Sequence, residues 1–182
     1  LSEVLSSAEI YNPTTGTFTS TGVMTSARAD QSATLLRDGR VLIAGGADTL
    51  SEVLSSAEIY DPVTGTFSPA NPATGNFSSG DSMTAAAEDQ TATLLQDGRV
   101  LLAGGLGADV NGDQSILQTA DTYDPKTGKF SAAGSMSSPR SEHTATLLFD
   151  GRVLITGGSN DSGTLASAEI YDPKTGVFGP AN

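Results

Sequence analysis

The sequence predicts an all-β fold made of repeated four-stranded antiparallel units. Three observations carry that expectation. Of 182 residues, 21 are Gly and none is Trp, which with abundant Ser and Thr is the composition of short strands joined by many turns. The stretch "LSEVLSSAEIY" occurs twice, at Leu1–Tyr11 and Leu50–Tyr60. Two hairpin-like half-units recur along the chain, each with its own turn residues.

The first half-unit reads "SATLLRDGRVLIAGG" at Ser32–Gly46, "TATLLQDGRVLLAGG" at Thr91–Gly105 and "TATLLFDGRVLITGG" at Thr144–Gly158. In each, an apolar run meets Asp-Gly and then a second apolar run. Asp38-Gly39, Asp97-Gly98 and Asp150-Gly151 are residues that tolerate the positive φ of a tight hairpin turn. The second run, such as Val41–Ala44, is nearly continuous in apolar side chains, as a strand buried on both faces requires. The Gly pair that closes it permits close backbone approach or left-handed dihedrals.

The second half-unit occurs four times: "SAEIYNPTTGTF" at Ser7–Phe18, "SAEIYDPVTGTF" at Ser56–Phe67, "TADTYDPKTGKF" at Thr119–Phe130 and "SAEIYDPKTGVF" at Ser167–Phe178. Pro follows the strand and fixes φ, and Gly at the turn exit supplies the left-handed position. Ala57, Ile59 and Asp61 fall on one face of the strand, Glu58 and Tyr60 on the other. A short link with Met24, Met83 or Met136 follows three of the four copies. The tyrosines lie 49, 63 and 48 residues apart, so the natural unit is 48 to 49 residues and the middle interval carries insertions. That period belongs to propeller-like repeats. One insertion is a copied turn: "PVTGTFSPA" at Pro62–Ala70 is followed by "NPATGNFSSG" at Asn71–Gly80, predicting an extra outer turn or hairpin.

One four-stranded unit cannot bury both its faces, so neighbours must stack on it. The expected organisation is a single repeat domain over 1–182. It divides into the outer hairpin of a partial blade at 1–21 and full blades at 22–80, 81–133 and 134–182. Such a set of three blades and a half is expected either to be a segment of a longer propeller or to close by assembly of copies.

These residues resemble kelch repeats. The closest fit is "RSEHTATLLFDGRVLITGG" at Arg140–Gly158 followed by "SAEIYDPKTGVF", with the Arg and His before the first strand, the Gly pair, the Tyr-Asp and a fourth-strand aromatic. The Asp-Gly-Arg-Val form is similar to bacterial kelch sequences, including the propeller of galactose-oxidase-like proteins. The resemblance implies a β-propeller whose usual role is binding. The chain departs from the pattern in that Phe18, Phe67, Phe130 and Phe178 stand where the family has Trp. His143 has Gln31 and Gln90 as its counterparts, and the Arg of Arg28 and Arg140 becomes Ala87 in the middle copy.

Charge and composition exclude several functions. The net charge of −12, with nine Lys and Arg in all, argues against nucleic acid, whose binding needs cations to displace the phosphate counterions. The same acidity favours solubility and attracts divalent cations. No Cys is present, which removes disulfides, thiolate metal sites and thiol nucleophiles. No apolar run reaches the roughly 18 residues of a membrane span.

One stretch has metal-ligand spacing. Asp109, Asn111 and Asp113 place oxygens at positions 1, 3 and 5 of a calcium loop. The stretch resembles the start of dockerin-type loops, although Gln114 and Ala120 stand where Gly and a carboxylate would follow. Calcium is therefore the one candidate cofactor, and a polar hairpin loop rich in turn formers is the alternative reading. His143 is the single histidine, next to Glu142. No Ser stands in a nucleophile setting, so it reads as a structural hydrogen-bonding residue at a blade entrance. The acids Asp30, Asp89 and Glu142, and the third-strand Glu9, Glu58 and Glu169, recur with the repeat. They are expected to pair with Arg28 and Arg140 or with Arg40, Arg99 and Arg152. The tyrosines are expected to pack between blades.

The expected function is a non-catalytic binding module of an exported or cell-surface bacterial protein. Its protein or glycan ligand would sit on the loops where the repeats differ, 47–55, 106–118 and 159–166. The alternative is a structural protein whose open blade edges drive copies into a ring or filament. An oxidase of the galactose-oxidase type needs a copper centre with a Tyr–Cys crosslink and His ligands, which zero Cys and one His do not supply. No catalytic residue is assigned.

Overall fold

The protein is seen here as a computed structural model that describes residues 4–70, 82–108 and 113–181. Strands β1 (Ser7–Asn12) and β2 (Thr17–Val23) form a two-stranded hairpin. Three four-stranded antiparallel sheets follow. The first holds β3 (Ser32–Leu35), β4 (Val41–Ala44), β5 (Ala57–Asp61) and β6 (Thr66–Pro69). In the second, β7 (Thr91–Leu94) and β8 (Val100–Ala103) are followed by a small hairpin, β9 (Leu106–Ala108) with β10 (Gln114–Ile116). That blade then closes with β11 (Thr119–Asp124) and β12 (Lys129–Ser135). The third blade holds β13 (Thr144–Leu147) and β14 (Val153–Thr156), then a short hairpin, β15 (Ser159–Asn160) with β16 (Gly163–Thr164), and finally β17 (Ala168–Asp172) and β18 (Val177–Pro180).

These are propeller blades, three full and one half, with no helix among the described residues. The hairpin reading holds at both turns. Leu35 faces Val41 across the Asp-Gly turn, and Tyr60 faces Phe67 across the Asp-Pro turn. The copied turn at 71–80 lies outside the described residues. The half-blade strand β2 continues past residue 21 to Val23, and the Gly22 N–H there donates to the Gly65 carbonyl of the next blade.

The core lies between blades. In β8, Val100 and Leu102 pack against the first full blade, among Leu42, Ile59 and Met83. Leu101 and Ala103 of the same strand pack against the third blade, among Val153, Ile155 and Tyr171. Alternate side chains thus enter two different cores, which is why the strand is apolar without a break. Each such side chain contributes about 1.5–3 kcal/mol on burial. β5 is buried on both faces as well, since Ala57, Glu58, Ile59 and Tyr60 are all buried.

The Gly pair ends each second strand for two reasons at once. Gly45 has φ +67°, and a Cβ there would come within 2.2 Å of the Ala87 carbonyl of the next blade. Beside it, the Gly46 N–H donates to that carbonyl at 2.8 Å. Close approach and a left-handed dihedral therefore coincide at the joint between blades.

Candidate functional site

The joint is built around an arginine and a third-strand acid. Arg28 lies in the link before β3. Its Nη1 donates to the Gly45 carbonyl at 2.7 Å, and its Nη2 meets Glu58 Oε1 at 2.9 Å. Glu58 also accepts the backbone N–H groups of Thr25 and Ser26. The third blade repeats this set: Arg140 donates to the Gly157 carbonyl at 2.7 Å and to Glu169 at 2.9 Å, and the Ser137 N–H donates to Glu169 at 2.7 Å. Despite burial, these contacts hold the Glu169 carboxyl below its ordinary range. Both pairs are buried.

The expected pairing of Glu58 and Glu169 with Arg28 and Arg140 is thus present. The entrance acids do something else. Asp30, Asp89 and Glu142 hold φ of 55°, 54° and 54°, the left-handed corner that starts each first strand. Burial, then Asp30 and Glu142, raise the Asp89 carboxyl above its ordinary value. Glu9 lies on the half blade, and no arginine pairs with it among the described residues.

His143 sits at the same joint. Its Nε2 lies 2.9 Å from Thr91 Oγ1 of the preceding blade, and Nδ1 is buried without a partner among the described residues. Burial, then the nearby Arg140, lowers it to about 4, so the ring is neutral at physiological pH. The tyrosines bridge blades: Tyr60 OH pairs with Thr21 Oγ1 at 2.8 Å, and Tyr123 OH donates to the Ala70 carbonyl at 2.9 Å.

Two concavities lie on the face of the tight turns. One cleft of about 440 Å³ runs between the first and second full blades, from Arg37 and Asp38 across to Arg99, Asp124 and Lys126. The next, of about 410 Å³, runs between the second and third, from Gln96 and Asp97 across to Arg152, Asp172 and Lys174. They are the same cleft one blade further on. In each Asp-Gly-Arg turn the arginine folds back on its own aspartate. Arg99 meets Asp97 through Nε and Nη2, both at 2.8 Å, and Arg40–Asp38 and Arg152–Asp150 do likewise. These arginines therefore do not reach the strand acids. Asp124 and Asp172 cap their turns through the backbone N–H groups of Lys126 and Lys174. The two lysine side chains are exposed and form no ion pair among the described residues. A chain of contacts stitches the turns together: Arg37 donates to the Gln96 carbonyl, and Gln96 Nε2 donates to the Phe149 carbonyl.

Of the candidate calcium residues, Asp113 is described, directly before β10. Asp109 and Asn111 lie outside the described residues. Among the described residues no group of three or more acids or histidines is placed to hold a metal ion.

The kelch motif model matches residues 31–74 and 139–178. The first and third full blades carry kelch motifs. The two matched stretches belong to the copies with Arg28–Glu58 and Arg140–Glu169, and the second blade, with Ala87 and its long loop, falls between them. No curated protein matches the chain. Kelch blades of this kind form interaction modules, and no helix among the described residues is long and apolar enough to cross a membrane.

Proposed function

We propose that these kelch blades form a non-catalytic interaction module that holds a polar peptide segment of a protein partner along the turn face. The observation that supports this reading is the repetition of the cleft. Two concavities of about 440 and 410 Å³ stand one blade apart, and each presents a lysine that forms no ion pair among the described residues, opposite a rim with aspartates. An extended chain of mixed charge can run from one to the next and repeat the same contact. The loops that differ between copies, near β9–β10 and β15–β16, lie at the opposite ends of the strands.

The test uses peptides selected by display against the intact chain. Affinity is then measured for Lys126→Glu, Lys174→Glu and the double variant. Each exposed ion pair is worth up to about 1 kcal/mol, so the double variant should bind roughly tenfold or more weakly. Unchanged affinity in the double variant, with loss on altering 159–166, contradicts the turn-face assignment.

A second reading has its own observation. On the half blade, Ile10, Tyr11 and Phe18 are exposed, whereas their counterparts Ile59, Tyr60 and Phe130 are buried by a neighbouring blade. A blade edge is the natural cover for that surface, and a second copy of the chain can provide one. Light scattering tests this: a concentration-dependent rise in mass, abolished by Phe18→Ser with Tyr11→Ser, supports self-association, and a constant monomer mass removes it.

A further inference from the structure

The three full blades place different residues at the same joint. Where the first has Arg28 and Glu58, and the third Arg140 and Glu169, the second has Ala87 and Asp121. Both partners change together. The shorter carboxylate keeps the backbone donor of the link, the Thr84 N–H at 2.8 Å, and takes the Thr84 hydroxyl at 2.8 and 3.0 Å. Ala87 and Asp121 then line a small cavity together with Gln90, Gly104 and Thr119, with about 10 Å³ open to the centre of a water-sized sphere. That is room for about one such guest.

Most of the cavity lining is apolar, with Met83, Leu102 and Leu117 among it, and a set of acceptors stands at one side. In the other blades the arginine Nη1 is held by a glycine carbonyl and a serine carbonyl, and Nη2 by the serine hydroxyl and the glutamate. The corresponding groups of the second blade are the Gly104 carbonyl, the Thr119 carbonyl and hydroxyl, and Asp121. Gln90 adds a further one. Gln90 is 8% exposed, and its Oε1 is buried without a partner among the described residues. Its amide orientation is fixed, because Nε2 donates to the Ala44 carbonyl at 2.9 Å, an atom that the oxygen could not face. The buried charge of the second blade thus lacks the guanidinium that balances it elsewhere, and an unbalanced buried carboxylate is costly.

We propose that this joint of the second blade binds one monovalent cation of ammonium or potassium size, held by Asp121, Gln90 Oε1 and the carbonyls of Gly104 and Thr119. The cation takes the electrostatic place of the arginine head group. A compact ion fits a one-guest cavity whose polar side repeats the acceptors that hold a guanidinium in the other two blades, and its single charge matches the single carboxylate.

Thermal unfolding of the intact chain tests this in ammonium, potassium and tetramethylammonium chloride at equal ionic strength. The small ions should raise the midpoint by about 2–4 °C over tetramethylammonium, in a saturable way. The rise should vanish in Asp121→Asn, which keeps the shape and removes the charge, and in Ala87→Arg, which supplies its own guanidinium. Equal midpoints in all three salts mean that the cavity holds water only and overturn the proposal, as does a rise that persists in Asp121→Asn. If Ala87→Arg fails to fold, thallium(I) soaked into crystals of the unaltered chain decides: an anomalous peak beside Asp121 supports the site, and its absence overturns it.

Discussion

Arg140 Nη2 and Glu169 Oε1 lie 2.9 Å apart, with side chains 0% and 4% exposed. The pair ties the link before the third blade to that blade's third strand. Removing one member leaves the other charge buried. Arg140→Ala should therefore cost about 3–5 kcal/mol in denaturant unfolding. Adding Glu169→Asp copies the second blade's pairing and should recover part of the loss, because the shorter carboxylate draws back from the vacated arginine site towards the Ser137 N–H and hydroxyl, as Asp121 sits on those of Thr84. A double variant no better than Arg140→Ala contradicts that explanation of the Ala87–Asp121 combination.

His143 gives the fold an acid-sensitive joint. Its value is lowered from 6.5 to about 4, so the unfolded chain takes up the proton first. The stability it supports is complete above about pH 6.5 and is lost as pH falls towards 4, by on the order of 2 kcal/mol. His143→Gln, which reproduces Gln90 of the second blade, should flatten the stability profile over that window. A profile identical to that of the unaltered chain contradicts the assignment.

The glycine at the blade joint is predicted to be intolerant. A Cβ at Gly104 would come within 2.4 Å of the Arg140 carbonyl, and φ there is +61°. Gly16 has a similar φ of +69° but nothing within 4 Å. Gly104→Ala should lower the unfolding midpoint far more than Gly16→Ala, which costs only the dihedral strain of about 1 kcal/mol. Similar losses at both positions would show that the close approach between blades is not what fixes Gly104.

Asp89 should be improvable. Burial and the neighbouring acids raise its carboxyl, so the folded state disfavours the charge, and stability is lost as pH rises from the unfolded value through the raised folded one. Asn keeps the tolerance for a left-handed corner and carries no charge. Asp89→Asn should raise the midpoint at neutral pH by a gain below about 1 kcal/mol, since the side chain is partly exposed, and the gain should shrink near pH 4. A lower midpoint at neutral pH contradicts the electrostatic account.

Most of the fold was legible because each blade is written in local signals. Asp38-Gly39 and Asp61-Pro62 mark the two turns, the unbroken run Val41–Ala44 marks the doubly buried strand, and Tyr60 meets Phe67 across one hairpin. The clefts were not legible. Lys174 and Asp97 come from turns far apart in the chain, and each turn alone reads as ordinary hairpin chemistry. Only stacking brings them to one rim. The joint at Ala87 was half visible: the loss of arginine stands out in the alignment of copies, but its link to Asp121 requires the register that sets the Arg28 guanidinium against Glu58. The entrance acids were misread as partners of arginine because recurrence signals duty without saying which, and their duty is a backbone corner.

The most direct test is hydrogen exchange of the intact chain with and without a display-selected peptide. Slowed exchange at the turns 97–99, 124–128 and 150–152, with the loops 47–55 and 159–166 unaffected, is the predicted result. Slowing confined to those loops, with the turns unaffected, would contradict a partner bound along the turn face.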